Sequence, residues 1–170
     1  MNYKLVYYGN ATLVSAAEAV KNIDDNIINI IANMFEIMYK EKGIGLAAPQ
    51  IDLNKRIIVI DPDGEMRNKI AIINPEIVSF SNTAAAYEEG CLSLPGLNAD
   101  VVRPTEIVVQ GISPAGKIVK YEAAGLFARV LQHEVDHLDG ILFIDRIEKY
   151  MKDEFRSELK KIKKLNKIDK

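Results

Sequence analysis

The apolar positions of the chain change their spacing from one stretch to the next. Between Asp24 and Gly43, the residues Ile27, Ile31, Met34 and Met38 recur at three- and four-residue intervals, which lines one side of a helix. Asp24 and Asp25 are natural caps for its first turn, and Gly43 suits the left-handed turn that follows a helix. The pattern therefore predicts an amphipathic helix over roughly residues 25–41. The next stretch, Gly43-Ile44-Gly45-Leu46-Ala47-Ala48-Pro49-Gln50, has small residues and a proline and reads as a loop or irregular edge strand. Short segments rich in β-branched residues follow at 56–60, 70–73, 76–80, 106–110 and 117–121. Asp61-Pro62-Asp63-Gly64, Asn74-Pro75 and Ser113-Pro114-Ala115-Gly116 punctuate them as turns, which predicts antiparallel hairpins. Helical spacing returns from Gly125 to Leu138 and stops near Gly140. Leu126, Val130, His133 and His137 form one stripe there, and Leu131, Val135 and Leu138 another, so this helix should be central and buried. Beyond Ile147, the residues Met151, Phe155, Leu159, Ile162 and Leu165 trace one more stripe through a lysine-rich segment.

With 170 residues, 48% hydrophobic and 27% charged, the chain has enough apolar side chain for one domain with a real core. It shows no internal repeat or low-complexity linker. No apolar run approaches the roughly 20 residues that span a bilayer, and the opening residues lack a basic segment followed by an apolar one. The cytoplasm, or an organelle matrix after processing, is the expected compartment, with no membrane partner. The single cysteine, Cys91, has no partner for an internal disulfide, and a lone thiol suits a reducing compartment. A net charge of −2 argues against a surface devoted to nucleic acid, yet the charge is uneven. Glu148 to Lys170 carry nine Lys or Arg against five Asp or Glu. The expected division is a body over 1–147 and a basic amphipathic helix over 148–170, either part of the same domain or an extension from it.

The strongest chemical signal is His133-Glu134-Val135-Asp136-His137, which holds the only histidines of the chain. On a helix, two histidines four apart project from one face and can share a metal, with the intervening Glu beside it. The plainer alternative is two core histidines satisfied by backbone carbonyls, but burying both without a partner is costly. A catalytic divalent ion usually takes three protein ligands and keeps an open position. Phe143 stands where one zinc-protease pattern would need a histidine, and Glu154 or Glu158 would serve another. Cys91 is the better third ligand, lying beside Gly90 in Glu88-Glu89-Gly90-Cys91-Leu92-Ser93-Leu94-Pro95-Gly96, although a free cysteine is also an ordinary small core residue.

Taken together, three segments resemble peptide deformylase: Gly43 to Gln50, Glu89-Gly90-Cys91-Leu92-Ser93, and His133 to His137. The resemblance covers most of the chain to about Ile147 and, more weakly, Tyr8-Gly9-Asn10. It implies an α+β fold, with antiparallel β-sheets packed around the central helix that carries the two histidines. It also implies a metal-dependent hydrolase that removes the N-formyl group from the initiator methionine of nascent polypeptides and releases formate. In that pattern Cys91, His133 and His137 bind one divalent ion with water as fourth ligand. Glu134 is the general base and later the acid. The Gln50 amide and the Leu92 backbone N–H stabilise the developing oxyanion, and Ile44 and Gly45 pair with the substrate as an added strand.

Ile44, Tyr87, Leu126 and Val130 are candidates for the methionine pocket by position, each also suited to ordinary core. Glu89 and Asp136 are expected to orient neighbours by hydrogen bonding, and Arg129 to reach the pocket rim or form a structural ion pair. Cys and His ligands suit iron, zinc, nickel and cobalt alike. The resemblance favours Fe2+, beside which the Cys91 thiolate would be open to oxidation. A monomer is expected, and the basic tail reads either as a helix docking on the ribosome or as a solvated cover for the sheet. Two rivals use the same histidines: a metallopeptidase that tolerates loss of Cys91, and a non-catalytic metal-stabilised ribosome-binding protein indifferent to Glu134→Ala.

Overall fold

In the computed structural model, which describes residues 3–167, the first helix α1 spans Asp25–Lys40. Its N-cap is Asp24, whose carboxylate accepts the Ile27 N–H at 2.9 Å. The helix closes with Gly43 N–H donating to Met38 O (2.8 Å) and Lys42 N–H to Tyr39 O (3.0 Å). The left-handed position falls on Lys42 (φ 59°) and not on Gly43. Gly43 answers a different need, because a Cβ there would sit 2.8 Å from Leu92 Cδ1.

Among the described residues seven strands follow: β1 Gly45–Ala47, β2 Ile57–Ile60, β3 Ile70–Phe80, β4 Ala84–Cys91, β5 Leu94–Pro104, β6 Glu106–Ile112 and β7 Ile118–Ala124. They form an antiparallel five-stranded sheet in the order β1-β2-β3-β6-β7 and a separate β4–β5 hairpin. Helix α2, Gly125–Leu138, packs on the sheet with Leu131, Val135 and Leu138 among Ile58, Ile60, Ile72, Ile107 and Val109. The opposite face, with Ile57, Val59 and Ile73, packs on Ile27, Ile31, Met34 and Met38 of α1. Strand β2 is thus buried on both faces, which is why Ile57-Ile58-Val59-Ile60 shows no polar alternation.

Two further expectations are corrected. Asn74-Pro75 is no turn: β3 runs through it, with a register shift between Ile73 and Glu76, and Asn74 takes a positive φ of 51°. Its side chain accepts the Val20 N–H and donates to Val20 O, at 2.8 and 2.9 Å, which holds the N-terminal segment against the sheet. The tail keeps its apolar stripe but is two helices and not one: α3 Lys149–Glu154 and α4 Arg156–Leu165, broken at Phe155. Leu159 and Ile162 of α4 are buried with Leu94, Leu97, Ala99 and Val101 of β5 and with Phe143. Among the described residues no helix is long and apolar enough to cross a membrane.

Candidate metal centre

Helix α2 carries both histidines into the space between the sheet and the β4–β5 hairpin, and Cys91 arrives at the end of β4, next to a register irregularity at Gly90. One ligand atom from each of Cys91, His133 and His137 lies within 4.8 Å of the others, and Cys91 Sγ is 3.2 Å from His137 Nε2. Thiolate and imidazole donors at about 2.3 and 2.0 Å from a tetrahedral ion stand roughly 3.6 Å apart, so this spacing fits one shared divalent ion. The alternative third ligands lose their case, since Glu154 and Glu158 lie on the tail helices outside this cluster.

Glu89 fixes the first histidine. Its Oε2 lies 3.0 Å from His133 Nδ1, which leaves the other ring nitrogen for a metal. The same carboxylate is gripped by Arg103 (Nε to Oε1 2.7 Å, Nη2 to Oε2 3.0 Å) and by Arg129 (3.1 Å). Arg103 also donates to Asp136 at 2.7 Å, and Arg146 closes on Asp136 at 2.6 and 3.1 Å. Burial pushes the Glu89 pKa up, but hydrogen bonds from His133 and Arg103 overcome it and hold the carboxyl at about 2, below its usual 4.5. Arg129 does both things expected of it: it lines the cleft, and it pairs with Glu89 while donating to the carbonyls of Val101 and Ala85 (2.8 Å each), with its guanidinium over the Tyr87 ring.

Gln50 sits in a short 3-10 turn, Ala48–Ile51, and is buried. Its Oε1 accepts the Ala47 N–H at 2.8 Å, which turns Nε2 toward Ser93 Oγ (3.2 Å) and Cys91 Sγ (3.5 Å). Glu134, only 4% exposed, has a buried Oε2 with no hydrogen-bond partner, and burial pushes its pKa up to about 7. That environment keeps a carboxyl close to the point where it exchanges a proton at neutral pH.

A cleft of about 860 Å³ opens over these groups. Ile44, Gly45, Gln50, Tyr87, Glu89, Cys91, Leu92, Val130, His133 and Glu134 all line it, as does Leu126, whereas Asp136 lies behind the helix. Tyr87 and Leu126 are half exposed and so are not core, while Val130 serves both cleft and core. Gly45 is required where it stands: a Cβ would lie 2.4 Å from Glu134 Oε1 and 2.8 Å from Val130 Cγ1. Gly45→Ala is expected to displace Glu134 and lower turnover about a hundredfold while metal content is unchanged, measured by formate release beside elemental analysis.

Sequence reasoning missed Arg103, Ser93 and Arg146. The signal for Arg103 was present: Leu97, Ala99, Val101 and Arg103 alternate on the buried face of β5, and an inward charge needs buried counter-charges.

Fold and site together define an α+β hydrolase of the metal-dependent kind. The polypeptide deformylase family model matches residues 2–153. The chain is 46% identical over 147 residues to a peptide deformylase of Picosynechococcus sp., covering 85% of this chain and 79% of that one. A plant peptide deformylase crystal structure superposes with a TM-score of 0.93 at 36% identity, covering 99% and 93% of the two chains. One from Legionella pneumophila gives 0.91 at 39% identity, covering 97% of each. The chain belongs to the polypeptide deformylase family.

Proposed function

We propose that the protein hydrolyses the formyl group from the N-terminal methionine of nascent peptides and releases formate. The observation that carries this reading is one cleft lined by Cys91, His133, the Gln50 amide and the unpartnered Glu134 carboxylate, with His137 behind completing the donor set. Cys91, His133 and His137 would hold one divalent ion, Fe2+ in the cell, with Zn2+, Ni2+ or Co2+ accepted by the same donors. When bound, that ion supplies Lewis acidity, which acidifies water and polarises a carbonyl.

Glu134 takes the proton of the attacking water at its free oxygen and delivers it to the departing amine nitrogen, so the bond that breaks is carbon to nitrogen. The Gln50 Nε2 amide, held by Ala47, donates to the carbonyl oxygen as it gathers charge, together with the Leu92 N–H. Among the described residues strand β1 pairs only with β2 and is an edge of the sheet, which supports Ile44 and Gly45 accepting the substrate backbone as a further strand. Tyr87, Leu126, Ile44 and Val130 would receive the methionine side chain. Glu89 and Asp136 act through their neighbours, the first holding His133 and the second anchoring Arg103.

Residues 148–167 are taken as part of the catalytic domain, a reading supported by the burial of Leu159 and Ile162 against β5, while 168–170 of the expected tail lie outside the described residues. The exposed lysines 160, 161, 163, 164 and 167 leave a basic face suited to ribosomal RNA, checked by salt-sensitive cosedimentation with ribosomes. A cytoplasmic monomer completes the proposal.

The deciding experiment is formate release from formyl-Met-Ala-Ser by anaerobically purified, Fe2+-loaded protein, beside Cys91→Ala. Release by wild type and its loss with the ion in Cys91→Ala is the expected result. Wild type that holds metal and releases no formate would overturn the function, and activity that survives Cys91→Ala would overturn the ligand set.

A further inference from the structure

The five-stranded sheet has two edges. One, β1, is assigned above to the substrate backbone; the other is β7, which pairs only with β6 among the described residues. The ladder fixes which way β7 turns its polar groups. Ser113 N–H donates to Lys117 O at 2.8 Å and Gly125 N–H to Thr105 O at 3.2 Å, one at each end of a register without irregularity. Hydrogen-bonded pairs alternate along an antiparallel ladder, so Val119, Tyr121 and Ala123 bond to β6, whereas Ile118, Lys120 and Glu122 point their N–H and C=O groups at the open edge. Among the described residues no other segment bonds to those groups.

The side chains of this edge complement themselves. Lys120 and Glu122 are both exposed and stand two residues apart on one face of β7. If a second copy of β7 pairs antiparallel about Tyr121, Lys120 of each copy lies opposite Glu122 of the other. Sliding one copy by two residues sets Lys120 against Lys120 or Glu122 against Glu122, which like-charge repulsion disfavours. Sliding it by one residue turns the outward groups of one copy toward groups already bonded to β6 in the other. The favoured register also lays Ile118, 86% exposed, across from Ala124. It brings the two Tyr121 side chains together at a closely spaced, non-hydrogen-bonded pair, where each ring already stands edge-on to Phe127 at 6.1 Å.

We infer that β7 is a self-association surface, through which two copies of this chain join their sheets edge to edge over residues 118–124, about a two-fold axis at Tyr121. The contact is isologous, so it uses up the β7 edge of both copies and stops at the dimer. Lys120 and Glu122 of the two copies exchange about four main-chain hydrogen bonds. An interface of one strand pair is below the standard size, so the dimer is reversible, with a Kd on the order of 100 µM. The monomer proposed as the catalytic unit is the dilute species. None of residues 118–124 lines the cleft, so each copy keeps a complete site when paired.

The test is sedimentation equilibrium of the full-length protein from about 10 to about 1000 µM, at low salt so that surface charges are weakly screened. Wild type is expected to rise toward twice the chain mass as concentration increases. Glu122→Lys sets Lys against Lys in all three registers and Lys120→Glu sets Glu against Glu, so each variant alone is expected to dimerise about tenfold more weakly or worse. An equimolar mixture of the two variants restores both opposite-charge pairs, and so does the double exchange Lys120→Glu with Glu122→Lys, each to within about threefold of wild type. Wild type that stays monomeric throughout overturns the surface. So does association that Glu122→Lys leaves unchanged, or that neither the mixture nor the double exchange restores. Amide hydrogen exchange of wild type decides without any variant: the Lys120 and Glu122 N–H groups are protected at the high concentration and open at the low one, and equal exchange at both overturns the inference.

Discussion

Glu134→Ala is expected to retain its divalent ion and to release formate about a thousandfold more slowly than wild type, the scale of a general acid–base group. The carboxylate is nearly buried, touches the Gly45 backbone position, and keeps one oxygen unpartnered. An unpaired buried oxygen stabilises nothing in the fold, so the variant should melt at or above the wild-type temperature. Loss of rate together with unchanged or raised stability separates a reacting group from a structural one. Formate release, metal analysis and a thermal melt read the three quantities, and activity within tenfold of wild type would remove Glu134 from the reaction.

Arg103→Met is expected to be the most destabilising of the single changes considered, by about 3–5 kcal/mol, because it leaves buried carboxylates without their counter-charge. Arg103 is 4% exposed and joins Glu89 to Asp136, whereas pairs such as Arg156 with Asp153 lie in solvent and contribute little. For a chain of this size such a loss lowers the melting temperature by roughly 10 °C. The sign with pH follows from Glu89. Its folded pKa of about 2 lies below the ordinary 4.5, so its stabilisation is present above pH 4.5 and is lost as pH falls through about 2. Without Arg103 the acid transition should move to higher pH. His133 would also lose part of its support, which weakens metal binding by about 10- to 100-fold. A melting temperature within 2 °C of wild type, a small shift on the scale of about 1 kcal/mol, would show that Glu89 is adequately paired by Arg129 and His133 alone.

The helices were legible because their information is local. In α2 the apolar spacing, the closing Gly140 and the His-Glu-x-x-His spacing coincide on one segment, so element and chemistry were read from the same residues. The β4–β5 hairpin was not anticipated as strands, although it carries Cys91. Ala84-Ala85-Ala86 and Glu88-Glu89 are weak strand formers, and Arg103 breaks the apolar alternation of β5 at the position where its charge is buried. Its reason for being there lies in Glu89 and Asp136, distant in sequence. Asn74-Pro75 misled for a related reason: the pair has turn chemistry, but the Asn74 side chain is committed to Val20 and the strand continues as a bulge. The single amphipathic stripe of the tail hid a break at Phe155, since both helices keep their apolar side toward the same core.

Strand β2 lies between two cores, one shared with α1 and the other with α2, and all four of its residues are fully buried. Neither helix can peel away without wetting a face of this strand, so local opening of one removes the support of the other. The helix that carries the two histidines therefore belongs to the same cooperative unit as the helix on the far side of the sheet. The spacing of His133 and His137 is set by the stability of the whole domain and not by the rigidity of a loop.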